Sequence, residues 1–218
     1  MSKNLLKRLF TSIILSTILL VCLFSHKYFW LLLIIIASVI SFFEFNNLIK
    51  KIWKKKQVFI NFVNLISFFY LIFFSYTAFV IGKQEMAMLY VLLVCIFSDI
   101  GGYVIGKSVG GKKLTKISPN KTISGSIGSF FFSLIPYIFY LLIQQIPEKN
   151  YFLILFLTLI LSLICQAGDL FISYFKRKSK IKDTGRLLPG HGGLLDRIDG
   201  IIFAVPSAFI LEKIFFNL

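Results

Sequence analysis

Acidic residues are scarce in this chain: nine Asp and Glu stand against 24 Lys and Arg in 218 residues, with only two histidines and three cysteines. Cys22, Cys95 and Cys165 each lie inside an apolar run, far apart and without C-x-x-C spacing. Neither a disulfide framework nor a thiolate metal site is indicated; three buried, small apolar residues are the plain reading. No Ser-His-Asp or Cys-His arrangement proposes a covalent nucleophile. Neither G-x-x-x-x-G-K-[ST] nor a strand-borne G-x-G-x-x-G occurs, so the two commonest nucleotide loops are missing. The polar connectors are short, no internal repeat is present, and the only low-complexity feature is the apolar bias itself.

That bias is strong. Hydrophobic residues make up 57% of the chain and mean hydropathy is +0.85, well above a soluble domain of this length. Runs such as "WLLLIIIASVI" and "YFLILFLTLILSLIC" are apolar on every face, whereas a transmembrane barrel needs alternation over about ten residues per strand. The expected fold is all-α, a polytopic integral membrane helical bundle of about seven transmembrane helices. The apolar segments run over about 9–25, 28–49, 58–82, 86–106, 123–146, 151–175 and 200–216. The first has a basic head like a secretory signal, but "FSHKYF" lacks a small-residue cleavage pattern, so it is read as a retained helix. Pro136 and Pro206, inside segments five and seven, are read as kinks that a membrane helix tolerates.

Lysine and arginine test the segment count, because cytoplasmic connectors are enriched in them. They gather at the N-terminus (Lys3, Lys7, Arg8), in the second connector (Lys50, Lys51, Lys54, Lys55, Lys56), in the fourth (Lys107, Lys112, Lys113, Lys116, Lys121) and in the sixth (Lys176, Arg177, Lys178, Lys180, Lys182, Arg186, Arg197). Only Lys27, Lys83, Lys149 and Lys213 fall on the other side. The N-terminus is therefore expected in the cytoplasm and the C-terminus outside. The net charge of +15 belongs to one membrane face; "KKIWKKK" follows from topology and attraction to anionic lipid, and no nucleic-acid partner is expected.

Against this background the acids stand out. Asp99 in "CIFSDIGGYVIG" and Asp169 in "CQAGDLFISYF" lie within membrane segments, where a carboxylate costs about 2.5–3.5 kcal/mol on insertion scales and marks function by default. Segments four and six run in the same direction, which puts both near the cytoplasmic end, about 9 Å short of it for Asp169. Asp196 and Asp199 enter segment seven from that side. Four aspartates from three helices thus converge at one level. Such carboxylates persist when protonated, paired with Lys or Arg, or bound to a cation; an oxygen-only set favours a hard cation, Mg²⁺ first. Structural pairing, with Arg197 between the two acids and Lys182 nearby, is the competing account.

Groups suited to phosphate surround them: Gly101, Gly102, Gly106, Gly110 and Gly111 with Lys107, Lys112 and Lys113, then "SPNKTISGSIG", then Lys176, Arg177 and "PGHGG". Glycine lets backbone N–H groups approach phosphate oxygens, and a helix start at Ser124–Ser126 suits an anion. Carboxylates for a divalent metal beside basic, glycine-rich loops at a bilayer surface point to metal-assisted phosphoryl or nucleotidyl transfer involving a lipid.

"GDLFISYFKRKSKIKDTGRLLPGHGGLLDRIDG", Gly168–Gly200, closely resembles the signature of the phosphatidate cytidylyltransferases (CDP-diacylglycerol synthases), and "SDIGGYVIGKSVGGKKLTKISPNKTISGSIG", Ser98–Gly128, resembles the motif before it. The amino-terminal "FFEFNNL" fits the opening helices, so the resemblance covers most of the chain. It implies transfer from CTP to phosphatidate by direct attack of the lipid phosphate on the α-phosphorus. Asp169, Asp196 and Asp199 would be ligands for Mg²⁺, with K⁺ beside it, and catalytic together with Lys176 and Arg177. Lys121, Ser124, Lys176, Arg177, Asp183, His191, Gly192, Gly193 and Arg197 would bind substrate, with Asp99 and Lys107 supporting them from behind.

The resemblance further implies residues 1–85 as about three structural or dimerisation helices, residues 86–218 as the catalytic region with cytoplasmic loops 107–122 and 176–200, a homodimer, and a bacterial inner membrane with bilayer lipid as partner. Two departures stand: the family's tryptophan and glutamate are missing from Lys121-Thr122-Ile123-Ser124-Gly125, and Ile172 occupies a glutamate position. The chain is also shorter than typical members, a helical pair near segment three being absent. A CTP-dependent enzyme of another membrane lipid, an ion-coupled transporter and an inactive relative are the alternatives.

Overall fold

The computed structural model describes residues 3–144, 147–188 and 192–216; the side chains of residues 3–9, 144 and 149 are not described. The backbone forms helices α1 (Lys3–Ser25), α2 (Lys27–Ile52), α3 (Gln57–Gly82), α4 (Glu85–Ser108), α5 (Ile123–Gln144), α6 (Tyr151–Lys178), α7 (Leu195–Ile198) and α8 (Ile201–Phe216). Among the described residues there is no strand, only two isolated bridges, Lys113 with Thr122 and Leu188 with Gly192. Helices are the expected outcome, since apolar surroundings give the backbone no partner but itself.

Among the described residues five helices, α2 to α6, are long and apolar enough to cross a membrane. The apolar part of α1, Phe10–Ser25, and the 16-residue α8 are shorter. The chain is a polytopic, all-α integral membrane protein. One expectation is corrected: Asp196 and Asp199 do not enter the last long helix. They belong to α7 and its C-cap, a separate turn that ends before Gly200.

The chain divides into two compact units. The first comprises residues 1–85 and 175–199, the second 86–174 and 200–218. In the first unit α2 packs on α1, α3 and α7. Three polar links join α2 to α3: Trp30 Nε1 donates to Ala78 O at 3.0 Å, Ser38 and Ser75 hydroxyls meet at 2.8 Å, and Asn64 Nδ2 donates to Asn46 Oδ1 at 2.9 Å. The residue numbers rise on one helix as they fall on the other, so the two are antiparallel. Polar pairs of this kind hold membrane helices together where apolar packing brings no gain over lipid.

In the second unit Ser98 and Ser162 hydroxyls meet at 2.9 Å, and Tyr90 bonds Thr158. Numbers rise together on α4 and α6, so these helices are parallel, as the charge pattern predicts. Cys95, Cys165 and Ala204 form a buried cluster with Ile201. A Cβ on Gly200 would collide with Cys165 Sγ, so only glycine fits at this position. Helices α4 and α5 approach closely: a Cβ on Gly101 would lie 2.5 Å from Gly128 O, and one on Gly125 2.7 Å from Gly102 O. Glycines 101, 102 and 106 thus serve a helix crossing, through small-residue contact. Gly110 and Gly111, at φ +65° and +103° with open space around them, form the turn after α4.

Candidate active site

In the second unit a cavity of about 240 Å³ is lined by Asp99, Asn120, Lys121, Thr122, Ser126, Gln166 and Asp169, with Gly102 and Gly125 at its wall. Two aspartates that the sequence places at one level, Asp99 and Asp169, are therefore brought together. Lys121 Nζ lies 2.5 Å from Asp169 Oδ2, each side chain about a quarter exposed (27% and 26%). Ser173 Oγ, one turn on, donates to Asp169 Oδ1 at 3.2 Å. Ser126 Oγ donates to Gln166 Oε1 at 2.6 Å, which orients the amide.

The start of α5 is built by its own residues. Thr122 Oγ1 accepts from Gly125 N–H at 3.0 Å, an N-cap. Ser124 Oγ bonds Thr122 Oγ1 and donates to Gly110 O. Ser124 therefore ties the connector to the helix and is not among the cavity's lining residues. Lys107 is exposed, with Nζ 3.5 Å from Tyr103 Oη on its own helix. Ile172, at a position where the resemblance expects glutamate, is buried at 4% exposure.

In the first unit the chain leaves α6 through a Schellman turn. Ile181 N–H bonds Lys176 O at 3.0 Å, Lys180 N–H bonds Arg177 O at 3.1 Å, and Lys180 takes φ +56°. After this reversal Asp196 meets Lys176, whose Nζ lies 2.8 Å from Asp196 Oδ1; the side chains are only 14% and 5% exposed. Asp196 Oδ2 accepts from Thr184 N–H at 2.7 Å and Gly193 N–H at 3.0 Å. Burial raises the Asp196 pKa, but the Lys176 hydrogen bond, the two N–H groups and the Lys176 charge outweigh it and leave it below the ordinary 3.8.

Gly192 has φ +87°, and a Cβ there would lie 3.0 Å from Asp196 Oδ2. Leu188 and Gly192 exchange backbone bonds of 2.9 and 3.1 Å. His191, expected to bind substrate, lies outside the described residues. Asp199 is 8% exposed. Asp183, Arg177 and Arg197 are exposed.

One participant escaped the sequence reading. Glu44, on α2, is 7% exposed and accepts from Thr184 Oγ1 and from the N–H groups of Leu194 and Leu195. The signal was available: a lone acid inside the apolar "SVISFFEFNNLI" falls under the rule that singled out Asp99 and Asp169. The three expected metal ligands are divided between the units, Asp169 in the second, Asp196 and Asp199 in the first. Within either unit, among the described residues, no three His, Cys, Asp or Glu side chains gather. Carboxylate oxygens are the donor type that a hard divalent cation takes, but in this structure Asp169 and Asp196 are each paired with a lysine ammonium instead.

A sequence profile of the cytidylyltransferase family matches residues 56–215, taking in both lysine–aspartate pairs. The chain belongs to that family. As a cytidylyltransferase family member it is 33% identical over 186 residues to the phosphatidate cytidylyltransferase of Bacillus subtilis, covering 84% of this chain and 68% of the relative. It is 48% identical over 125 residues to that of Staphylococcus aureus (strain COL), and 42% over 126 residues to that of Staphylococcus epidermidis; each alignment covers 57% of this chain. The matches span about half the length of the staphylococcal relatives, 48% in each case.

Proposed function

We propose that this protein is a phosphatidate cytidylyltransferase that makes CDP-diacylglycerol and pyrophosphate from CTP and phosphatidate. A phosphate oxygen of the lipid attacks the α-phosphorus of CTP, one P–O bond forms, and the bond to the departing pyrophosphate breaks. The observation that carries this reading is the pairing of two family-signature aspartates with lysines, Lys121 with Asp169 and Lys176 with Asp196. Each lysine sets an ammonium beside its aspartate, able to turn to a phosphate oxygen. Arg177 adds charge at the same helix end as Lys176, and Gly192 and Gly193 receive the nucleotide.

Mg²⁺, with Asp169, Asp196 and Asp199 as its candidate ligands and K⁺ beside it, would supply charge stabilisation at the reacting phosphates. The chain sits in the bacterial inner membrane with its N-terminus and site facing the cytoplasm, spans it about seven times, and pairs as a homodimer. The lysine distribution supports the orientation.

Purified protein given CTP, phosphatidate and Mg²⁺ should form CDP-diacylglycerol, and Asp196→Asn should abolish it. Absence of product from the wild type, or full activity in Asp196→Asn, would overturn the assignment. Replacing phosphatidate with an isoprenoid phosphate separates it from a relative acting on another lipid.

A further inference from the structure

Glu44 lies outside residues 56–215, the part matched by the family. It sits on the buried face of α2 with Ser41 and Leu48, where a carboxylate needs partners to persist. Those partners come from the other end of the sequence. Oε2 accepts from Thr184 Oγ1 at 2.7 Å and from Leu195 N–H at 2.9 Å; Oε1 accepts from Leu194 N–H at 3.0 Å. Both oxygens are engaged, by Thr184 and by the first backbone N–H groups of α7 at Leu194 and Leu195.

The loop is shaped around this carboxylate. A Cβ on Gly185 would stand 2.5 Å from Glu44 Oε1, and one on Gly193 would collide with Oε2. Bare backbone at both positions lets the two sides of the loop close on α2. The same groups hold Asp196. Thr184 N–H and Gly193 N–H bind its Oδ2, and Thr184 Oγ1 lies 3.0 Å from that oxygen as well as 2.7 Å from Glu44. Leu195, fixed by Glu44, is the residue immediately before Asp196.

We infer that Glu44 is a positioning residue for cytidylyl transfer: it fixes Thr184 and the Leu194–Leu195 backbone, and through them the direction of Asp196 Oδ1. This rests on Asp196 being a working carboxylate of that reaction. Glu44 itself is placed to meet backbone and hydroxyl donors, which gives an N-terminal helix a part in the site.

Two variants of the full-length protein test it. Glu44→Gln keeps the shape but sets an amide N–H against one of the donors; Thr184→Val removes only the hydroxyl. Amide exchange at Thr184, Gly193, Leu194 and Leu195 should accelerate by about tenfold or more in Glu44→Gln, with α3 unchanged. With saturating Mg²⁺, kcat should fall about 10–100-fold, while KM for CTP stays within about threefold. Thr184→Val should move both readouts the same way, less far, and the double variant should be little worse than Glu44→Gln. Wild-type kcat in Glu44→Gln, strictly additive losses, or exchange accelerated equally through α2 and α3 would overturn the inference. A wild type without turnover would instead sink the enzymatic reading, and the four amides would still decide whether Glu44 holds the loop.

Discussion

Lys176 Nζ and Asp196 Oδ1 lie 2.8 Å apart, with both side chains almost wholly withdrawn from solvent. Removing the lysine strands a buried carboxylate on two backbone N–H groups. Lys176→Met should lose about 100-fold or more in turnover and about 1–3 kcal/mol in stability. Lys176→Arg keeps the charge but not the point geometry, and should fall between. Product formation from labelled CTP and denaturant unfolding check both; wild-type turnover in Lys176→Met would remove the lysine from the site.

The Asp196 carboxyl is held below the ordinary 3.8 in the folded state. The folded protein therefore binds fewer protons than the unfolded chain as pH drops through this range, and the contribution is fully present above the unfolded value. It is lost as pH falls through the folded value. The stability difference between wild type and Asp196→Asn should stay constant from neutral pH to about 5 and shrink below 3.8. A difference that disappears between pH 7 and about 5 would contradict the bonding described for Asp196.

Lys121 and Asp169 form the looser pair, each about a quarter exposed. Water screens such a pair, so Lys121→Met should cost less than about 1 kcal/mol in stability while turnover falls about 100-fold. The contrast with Lys176→Met is the point of the measurement: similar kinetic losses, unequal unfolding. Equal stability losses would mean that Lys121 is a structural bridge first.

Helix existence was legible because apolar runs leave the backbone no alternative, and the seven segments predicted from hydropathy reappear as the seven longer helices. Asp99 and Asp169 were legible as carboxylates in apolar surroundings, and one cavity holds them both. The need for glycine at position 200 was not, because it comes from Cys165, a neighbour in space that no local pattern reveals. Glycines 101, 102 and 106 invited a phosphate reading for a similar reason: their role depends on Gly125 and Gly128 of α5. Glu44 shows the opposite case. Its signal was local, but its meaning lay in Thr184, Leu194 and Leu195, about 140–150 residues away.

Lys180 occupies the left-handed position of the α6 C-cap at φ +56°, where glycine is the usual residue. Its side chain is exposed, so Lys180→Gly should relieve strain and stabilise the protein by up to about 1 kcal/mol. Turnover should be unchanged if Lys180 serves only the turn. Destabilisation on unfolding would show that the turn is not left-handed at this residue.

Gly101 and Gly110 separate two uses of glycine. A Cβ at Gly101 would lie 2.5 Å from Gly128 O and 2.6 Å from Phe132 Cβ, so α4 and α5 must part to admit it. Gly101→Ala should cost about 1–3 kcal/mol, Gly101→Asn more, and both should lower turnover because the same two helices wall the cavity of Lys121 and Asp169. Gly110 has free space but φ +65°, so Gly110→Ala should cost about 1 kcal/mol and Gly110→Asn less, since asparagine tolerates this conformation. The order of alanine and asparagine should therefore reverse between the two sites. A raised KM for CTP in Gly101→Ala with unchanged stability would instead return that glycine to phosphate binding.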